Sequence, residues 1–401
     1  MIFESSIIVG FVRLCLMVLV LYYLNSLLVR KTPSQTLLQF LVNQWFKYGS
    51  VSMILLFALI EIGIYNLINF LLVLFLVIII DYIGFENCKR PLKFIKTITS
   101  DLFHKIIVLV DEKKSIRTLF KVDINIENSK EKVFIFWLII ILIPLAFIGR
   151  FYFYTYDTYL FSDLWISDLG KIIAFDNQSW FTNEIIIDGE LALANLYGKL
   201  TNVSPEVSLQ SMAILESVLL SLVVFWTVRK ITLSKIFAPL MAFFSFIFLY
   251  TISPIEIHYL LQNQPILLSL SLTLPAMVFT MKPDSLGSKK WNYFLSFLAC
   301  YIAIGLLDVF TLLIIIPPFY IVLLLFFNKK QLVFQVLSLI AFVSGTAIIL
   351  FLYYLYCQAY LIDFQIFLQS SLISVHSFTY MPNIYIPFEQ LLTYYQYGSF
   401  F

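Results

Sequence analysis

Apolar runs of about 20 residues, the length that carries an α-helix across a bilayer, recur along the chain and are separated by short loops where Lys and Arg gather. This pattern constrains the fold more than any other feature. A backbone passing through hydrocarbon must satisfy its own N–H and C=O groups, which leaves helices or closed barrels. Runs of this length select helices. Charged residues make up 12% of the 401 positions and hydrophobic ones 61%, a balance outside the range of soluble domains. The sequence therefore predicts an all-α polytopic membrane protein with about ten transmembrane helices.

The runs cover 7–28, two helices folded out of 51–84 with a tight turn near Glu61–Asn69, then 133–149, 211–228, 236–252, 264–281, 291–307, 309–327 and 332–356. The first lacks a small-residue cleavage site and ends in LLVRK, so it reads as a retained span and not a signal peptide. Alternate connections hold Arg30, Lys31 and Lys47; the stretch 86–132; Arg229, Lys230 and Lys235; Lys282, Lys289 and Lys290; and Lys329 and Lys330. Of the 26 Lys and Arg, only Arg13, Arg150, Lys171 and Lys199 lie elsewhere. Positive charge marks the cytoplasmic side, which puts the N-terminus outside. Four segments follow. Residues 1–85 form a three-helix module, and 86–132 a basic cytoplasmic linker that lies against anionic headgroups. Residues 133–356 form the transmembrane core. Residues 357–401 are an extracytoplasmic C-terminal segment whose end, YYQYGSFF, reads equally as natural or truncated.

Other classes drop out. Net charge is +2 and the basic residues sit in membrane-flanking loops, so no nucleic-acid partner is indicated. Cys15, Cys88, Cys300 and Cys357 form no CxxC or zinc spacing. Neither an internal repeat nor the paired broken helices of a transporter is visible.

What remains is the interval 150–210 on the outer side. Asp157, Asp163, Asp168, Asp176, Glu184, Asp188, Glu190 and Glu206 are its acids, against Arg150, Lys171 and Lys199. Carboxylates gathered at one face of an apolar protein are costly unless solvated or used. Two amphipathic helices are expected in it, near 160–174 and 188–200, lying along the outer membrane surface. Ser204 is an N-cap candidate for the next span, with Pro205 at its first position. Trp165 and Trp180 read as interfacial anchors, Asp308 as a solvated turn residue, and Glu216, inside a span, as facing a polar cavity or a partner.

The order of features here resembles a family. A span and an aromatic edge lead to Asp157-Thr158-Tyr159, then an amphipathic helix, then a Trp before a second helix ending LYGKLTNVSPEVSLQ, then a span finishing in VRK. This is similar to the GT-C glycosyltransferases, integral membrane enzymes using polyprenyl-phosphate-linked sugars that include oligosaccharyltransferases and protein mannosyltransferases. The resemblance covers about residues 133–330 and leaves out the three N-terminal spans; the family's usual C-terminal soluble domain is missing.

The resemblance implies a GT-C-like core that moves a sugar from a polyprenyl-phosphate donor to a lipid, glycan or protein acceptor. It implies Asp157 as the essential acid of the first outer loop. Glu256 and His258, in SPIEIHYLLQNQP, resemble the acidic or His pair of the next outer loop, and Asp308 stands where relatives often carry His. The second acid that family members place soon after the first is absent, and Asp163 is the nearest substitute. The expected catalytic set is thus Asp157, Glu256 and His258, with Arg150, Asp163 and Asp168 as substrate-binding residues. Arg150 or His258 would balance the leaving phosphate, and a divalent cation, Mg or Mn, would sit on Asp157 and Glu256, since hard cations take oxygen ligands. The rival readings are a lipid-linked saccharide flippase or transporter and a catalytically silent scaffold.

The orientation is checked by impermeant thiol labelling of a chain without its native cysteines. Asn177→Cys should react from outside and Ser115→Cys should not; the reverse pattern overturns the assignment.

Overall fold

The computed structural model describes residues 6–28, 37–83, 100, 129–151, 159–176, 180–181, 189–232, 237–242, 265–286, 289–325 and 331–373. Among the described residues all regular structure is helical. The α-helices are α1 (Ile7–Leu28), α2 (Leu37–Gln44), α3 (Ser50–Glu61), α4 (Leu67–Ile83), α5 (Ser129–Phe151), α6 (Asp163–Asp176), α7 (Gly189–Thr201), α8 (Pro205–Ile231), α9 (Pro265–Met281), α10 (Lys290–Leu307), α11 (Ile316–Leu325), α12 (Leu332–Ala359) and α13 (Phe364–Ile373). Three of them, α8, α10 and α12, are long and apolar enough to cross a membrane, as a multi-pass membrane protein requires. Shorter apolar stretches run over Ile7–Tyr22, Leu67–Asp81, Phe136–Gly149, Pro265–Met281 and Thr311–Leu325.

The core is organised around α8, which packs against α9, α5, α7, α6, α1 and α2. Its most apolar window is 78% buried, against 33% for α12, so α8 is central and α12 peripheral. The second seam is α10, laid along α12, α3 and α9. Large aromatics fill it: Phe46 meets Phe279 and Phe297 edge-on with centroids 5.0 and 5.1 Å apart. The hydroxyls of Tyr301 and Tyr320 bond one another inside it. Each buried hydroxyl thereby meets the partner that hydrocarbon surroundings demand.

Local sequence accounts for the breaks. The run 51–84 divides at Gly63, which takes the left-handed φ of 77° in the turn between α3 and α4. Ahead of it, the stretch through Lys47 was expected as a polar connector; instead α2 and α3 form one continuous helix joined by a π turn at Trp45–Gly49. In this π turn the Trp45 ring lies over Gly49, where an added Cβ would fall 2.6 Å from it, and the Trp45 indole N–H donates to Ser271 Oγ at 2.9 Å. A second π turn, Thr311–Ile315, opens α11.

Contacts sort the connections onto two ends. At one, Lys282 donates to the Lys230 carbonyl, Gln39 reaches Ser285, and Asp81 accepts from Tyr48 and Asn292 at 2.8 and 3.1 Å. At the other, Tyr65 bonds Asn195, Arg13 bonds the Thr201 carbonyl at 2.6 Å, and Phe181 stacks on Tyr356. Lys230 and Lys282 thus stand at one end of the bundle, with α6 and α7 at the other.

Of the two expected interval helices, α6 and α7 lie close to the anticipated ranges, but α7 is not a surface helix. It is buried on nearly every face, from Gly189 to Thr201. Gly189 makes this seat tight, since an added Cβ would fall 2.1 Å from the Leu306 carbonyl oxygen of α10. Gly189→Ala should therefore cost about 1–3 kcal/mol, as overpacking does. Gly170→Ala, in open space on α6, should be neutral or stabilise by up to about 1 kcal/mol. Thermal unfolding of both variants in one detergent checks the pair, and equal effects would contradict the seat.

Candidate functional site

At the α6–α7 end stands Tyr159, a fully buried ring whose hydroxyl donates to Asp168 Oδ2 at 2.7 Å. Ser162 caps α6: its Oγ accepts from Trp165 N at 3.2 Å and donates to the Tyr159 carbonyl at 2.6 Å. Asp163 follows in the first turn, where a carboxylate faces the positive end of the helix dipole. Asp163 and Asp168 therefore each have a structural task on α6, one at the helix start and one holding Tyr159. Five positions apart, they lie on different faces of the helix. Lys171, on the inward side of α6, is buried.

A second network ties α6 to α7 and to the α3–α4 turn. Asn195 donates to Asp176 Oδ1 and to the Ile172 carbonyl, both at 2.9 Å, and accepts from Tyr65 Oη at 2.8 Å. Lys199 pairs with Asp176 at 2.6 Å and its ammonium stands 4.1 Å from the centre of the Tyr65 ring. Burial, and then the charge of Asp176, push the Tyr65 hydroxyl well above the ordinary phenol range, so it remains a donor. The Lys199–Asp176 pair is partly exposed and adds little by itself; the buried Asn195 orders the rest.

α7 ends in a Schellman motif. Asn202 adopts a left-handed φ of 53° and Val203 N donates back to the Gly198 carbonyl at 3.0 Å. The turn passes directly into α8, where the expected cap is present: Ser204 is extended, Pro205 is the first helical residue, and Ser204 Oγ accepts a long 3.5 Å bond from Val207 N. Ser208 then bonds the Ala194 carbonyl across the pair. Glu190 on α7 and Glu216 on α8 are both buried, at 6% and 1% exposure. An intramembrane carboxylate so placed faces the interior of the bundle and not lipid.

Asp308 overturns its expectation. It was read as a solvated turn residue, yet it is 4% exposed. Its Oδ1 accepts from Phe310 N at 3.2 Å and its Oδ2 from Thr311 N at 3.0 Å and from the Thr311 hydroxyl. Ser269 joins the group through Thr311 Oγ1 at 2.8 Å. The reason is topological. α10 breaks and the next helix begins within one residue, inside apolar packing, so the opening amides need a built-in acceptor. Tyr353 serves the other side of the break by donating to the Gly305 carbonyl at 2.7 Å. Trp165 and Trp180 are likewise corrected from interfacial anchors to buried rings, 7% and 6% exposed, packed with Phe161, Phe175 and Phe57.

Of the sequence-predicted site residues, Asp157, Glu256 and His258 lie outside the described residues, and Arg150 lies in the last turn of α5. Asp163 and Asp168 are placed as above. Among the described residues, no group of three His, Cys, Asp or Glu side chains forms a metal-binding cluster. Glu190, one of the acids of the interval, is carried into the bundle by a helix whose LALANL run is apolar at five of its six positions. No family model matches the chain, and neither does any curated protein or solved structure.

Asp308→Ala removes a buried cap and should cost about 1–2 kcal/mol, read as a lowered unfolding midpoint, with Asp308→Asn keeping most of it. Equal loss in both would show that charge, and not acceptor geometry, is what matters.

Proposed function

We propose that this chain is a membrane glycosyltransferase of inverting type. It moves a sugar from a polyprenyl-phosphate-linked donor to a lipid, glycan or protein acceptor at the extracytoplasmic face of the cell membrane. Its architecture in this reading is about ten spans with a GT-C-like core over 133–356. One observation supports it: the two described helices of the acidic interval, α6 and α7, pack on α8 at one end of the bundle, and α7 is buried there.

The chemistry in this reading is a displacement at the anomeric carbon. The acceptor hydroxyl attacks the anomeric carbon, the bond from that carbon to the phosphate oxygen breaks, and the phosphate leaves with the electron pair. Asp157 takes the hydroxyl proton, a role suited to a carboxylate within hydrogen-bond reach. Arg150 and His258 balance the charge that grows on the phosphate, and Glu256 shares the acceptor side. Asp163 and Asp168 hold polar groups of the substrate from α6. Mg or Mn, held by Asp157 and Glu256, would supply further charge neutralisation when bound.

A second reading, a lipid-linked saccharide flippase, draws on Glu216. Its carboxylate lies buried mid-way along the central helix, as a transport pathway would need. The two are separated by Asp157→Asn in the purified full chain given a polyprenyl-phosphate sugar. The transferase reading predicts donor turnover lowered at least about a hundredfold with donor binding unchanged. Unchanged turnover, or none in the unaltered chain, overturns it.

A further inference from the structure

On the side of the bundle formed by α5 and α8, a groove of about 340 Å³ opens between Leu138, Ile141, Leu142 and Leu145 of α5, Phe225 of α8 and Leu240 in the short helical stretch 237–242. Its lining is apolar. Ile141 and Leu240 stand half-exposed at its lips, at 53% and 46%. Its depth follows from the helices. Leu138 to Leu145 spans about 10 Å of α5, and Phe225 lies about 9 Å, six residues, before the end of α8 at Ile231. The groove thus runs toward the end of the bundle that holds Lys230 and Lys282.

Charge stands at that end. Arg229 follows Phe225 by one helical turn, on the same face of α8. Lys230 is adjacent, its ammonium 6.0 Å from the Trp226 ring, and Lys282 donates to the Lys230 carbonyl. An apolar slot in the hydrocarbon zone, with cations one turn above it at the membrane boundary, has the form of a phospholipid: chain below, headgroup above.

We infer that the α5–α8 groove holds one acyl chain of an anionic phospholipid from the leaflet on the basic side, with its phosphate on Arg229 and Lys230. The discrimination belongs to the headgroup. Lipid tails are as apolar as the lining, so the slot alone does not choose among lipids. Each Lys or Arg at an anionic surface contributes about fivefold in attraction. The inference rests on the membrane reading of the helices and is independent of the transferase proposal.

Native mass spectrometry of the full chain, released from micelles holding equal phosphatidylglycerol and phosphatidylcholine of matched chains, tests it. The unaltered protein should retain one phosphatidylglycerol at least about fivefold over phosphatidylcholine. Arg229→Gln should lower the ratio about fivefold, and Arg229→Lys should keep it. Ile141→Trp, at a half-exposed lip, should lower retention of the phosphatidylglycerol by filling the slot. Equal retention of the two lipids by the unaltered chain overturns the site, as does a preference undiminished by Arg229→Gln or a phosphatidylglycerol retention undiminished by Ile141→Trp.

Discussion

The α6–α7 end of this molecule depends on close helix contacts made at two glycines. At Gly189 the first turn of α7 meets the Leu306 carbonyl of α10, and at Gly198 the last turn meets Ser208 of α8, whose Cβ would lie 3.2 Å from an added one. α7 is thus pinned at both ends, between the two most important helices of the bundle. A polar interval between spans usually stays in water, where its backbone is solvated. Here its second helix satisfies its own backbone and enters the packing, taking Glu190 and Asn195 with it.

Once α7 is seated, the neighbouring polar groups acquire fixed partners. Asn195 reads α6 through the Ile172 carbonyl and Asp176, and reads the N-terminal module through Tyr65. Arg13 of α1 completes the collar by binding the carbonyls at the end of α7. In apolar surroundings each of these bonds is costly to leave unmade, so the network orders three chain segments that are distant in sequence. The Asp308 group does the same for the break between α10 and α11. Both are structural solutions to one problem, which is ending helices inside a bundle where water does not reach.

Much of this was legible in the sequence. The apolar runs marked the helices, Gly63 lay within the anticipated turn between α3 and α4, and Ser204-Pro205 marked the start of α8, because these signals are local. The failures share a cause. Burial of α7, Trp165, Trp180 and Asp308 depends on what packs over them; the acids of 150–210 pointed the other way for the first three, and for Asp308 its own charge did. Lys47 misled similarly: one lysine suggested a connector, while the apolar residues around it carried the helix through a π turn. For α7 a usable signal was present in LALANL, apolar at five of its six positions, but the acids of the interval outweighed it. The residues expected to do chemistry, Asp157, Glu256 and His258, fall outside the described residues, so their spacing is not among the features compared.

The account stands or falls on α7 being part of the bundle. Hydrogen–deuterium exchange of the full chain in lipid nanodiscs measures this directly, because amide protection follows the free energy of local opening. If α7 is seated between α8 and α10, its amides from Leu193 to Thr201 should exchange as slowly as those of α8, and far more slowly than the exposed face of α6 around Gly170. Exchange across α7 as fast as that face would show a surface helix and contradict the account.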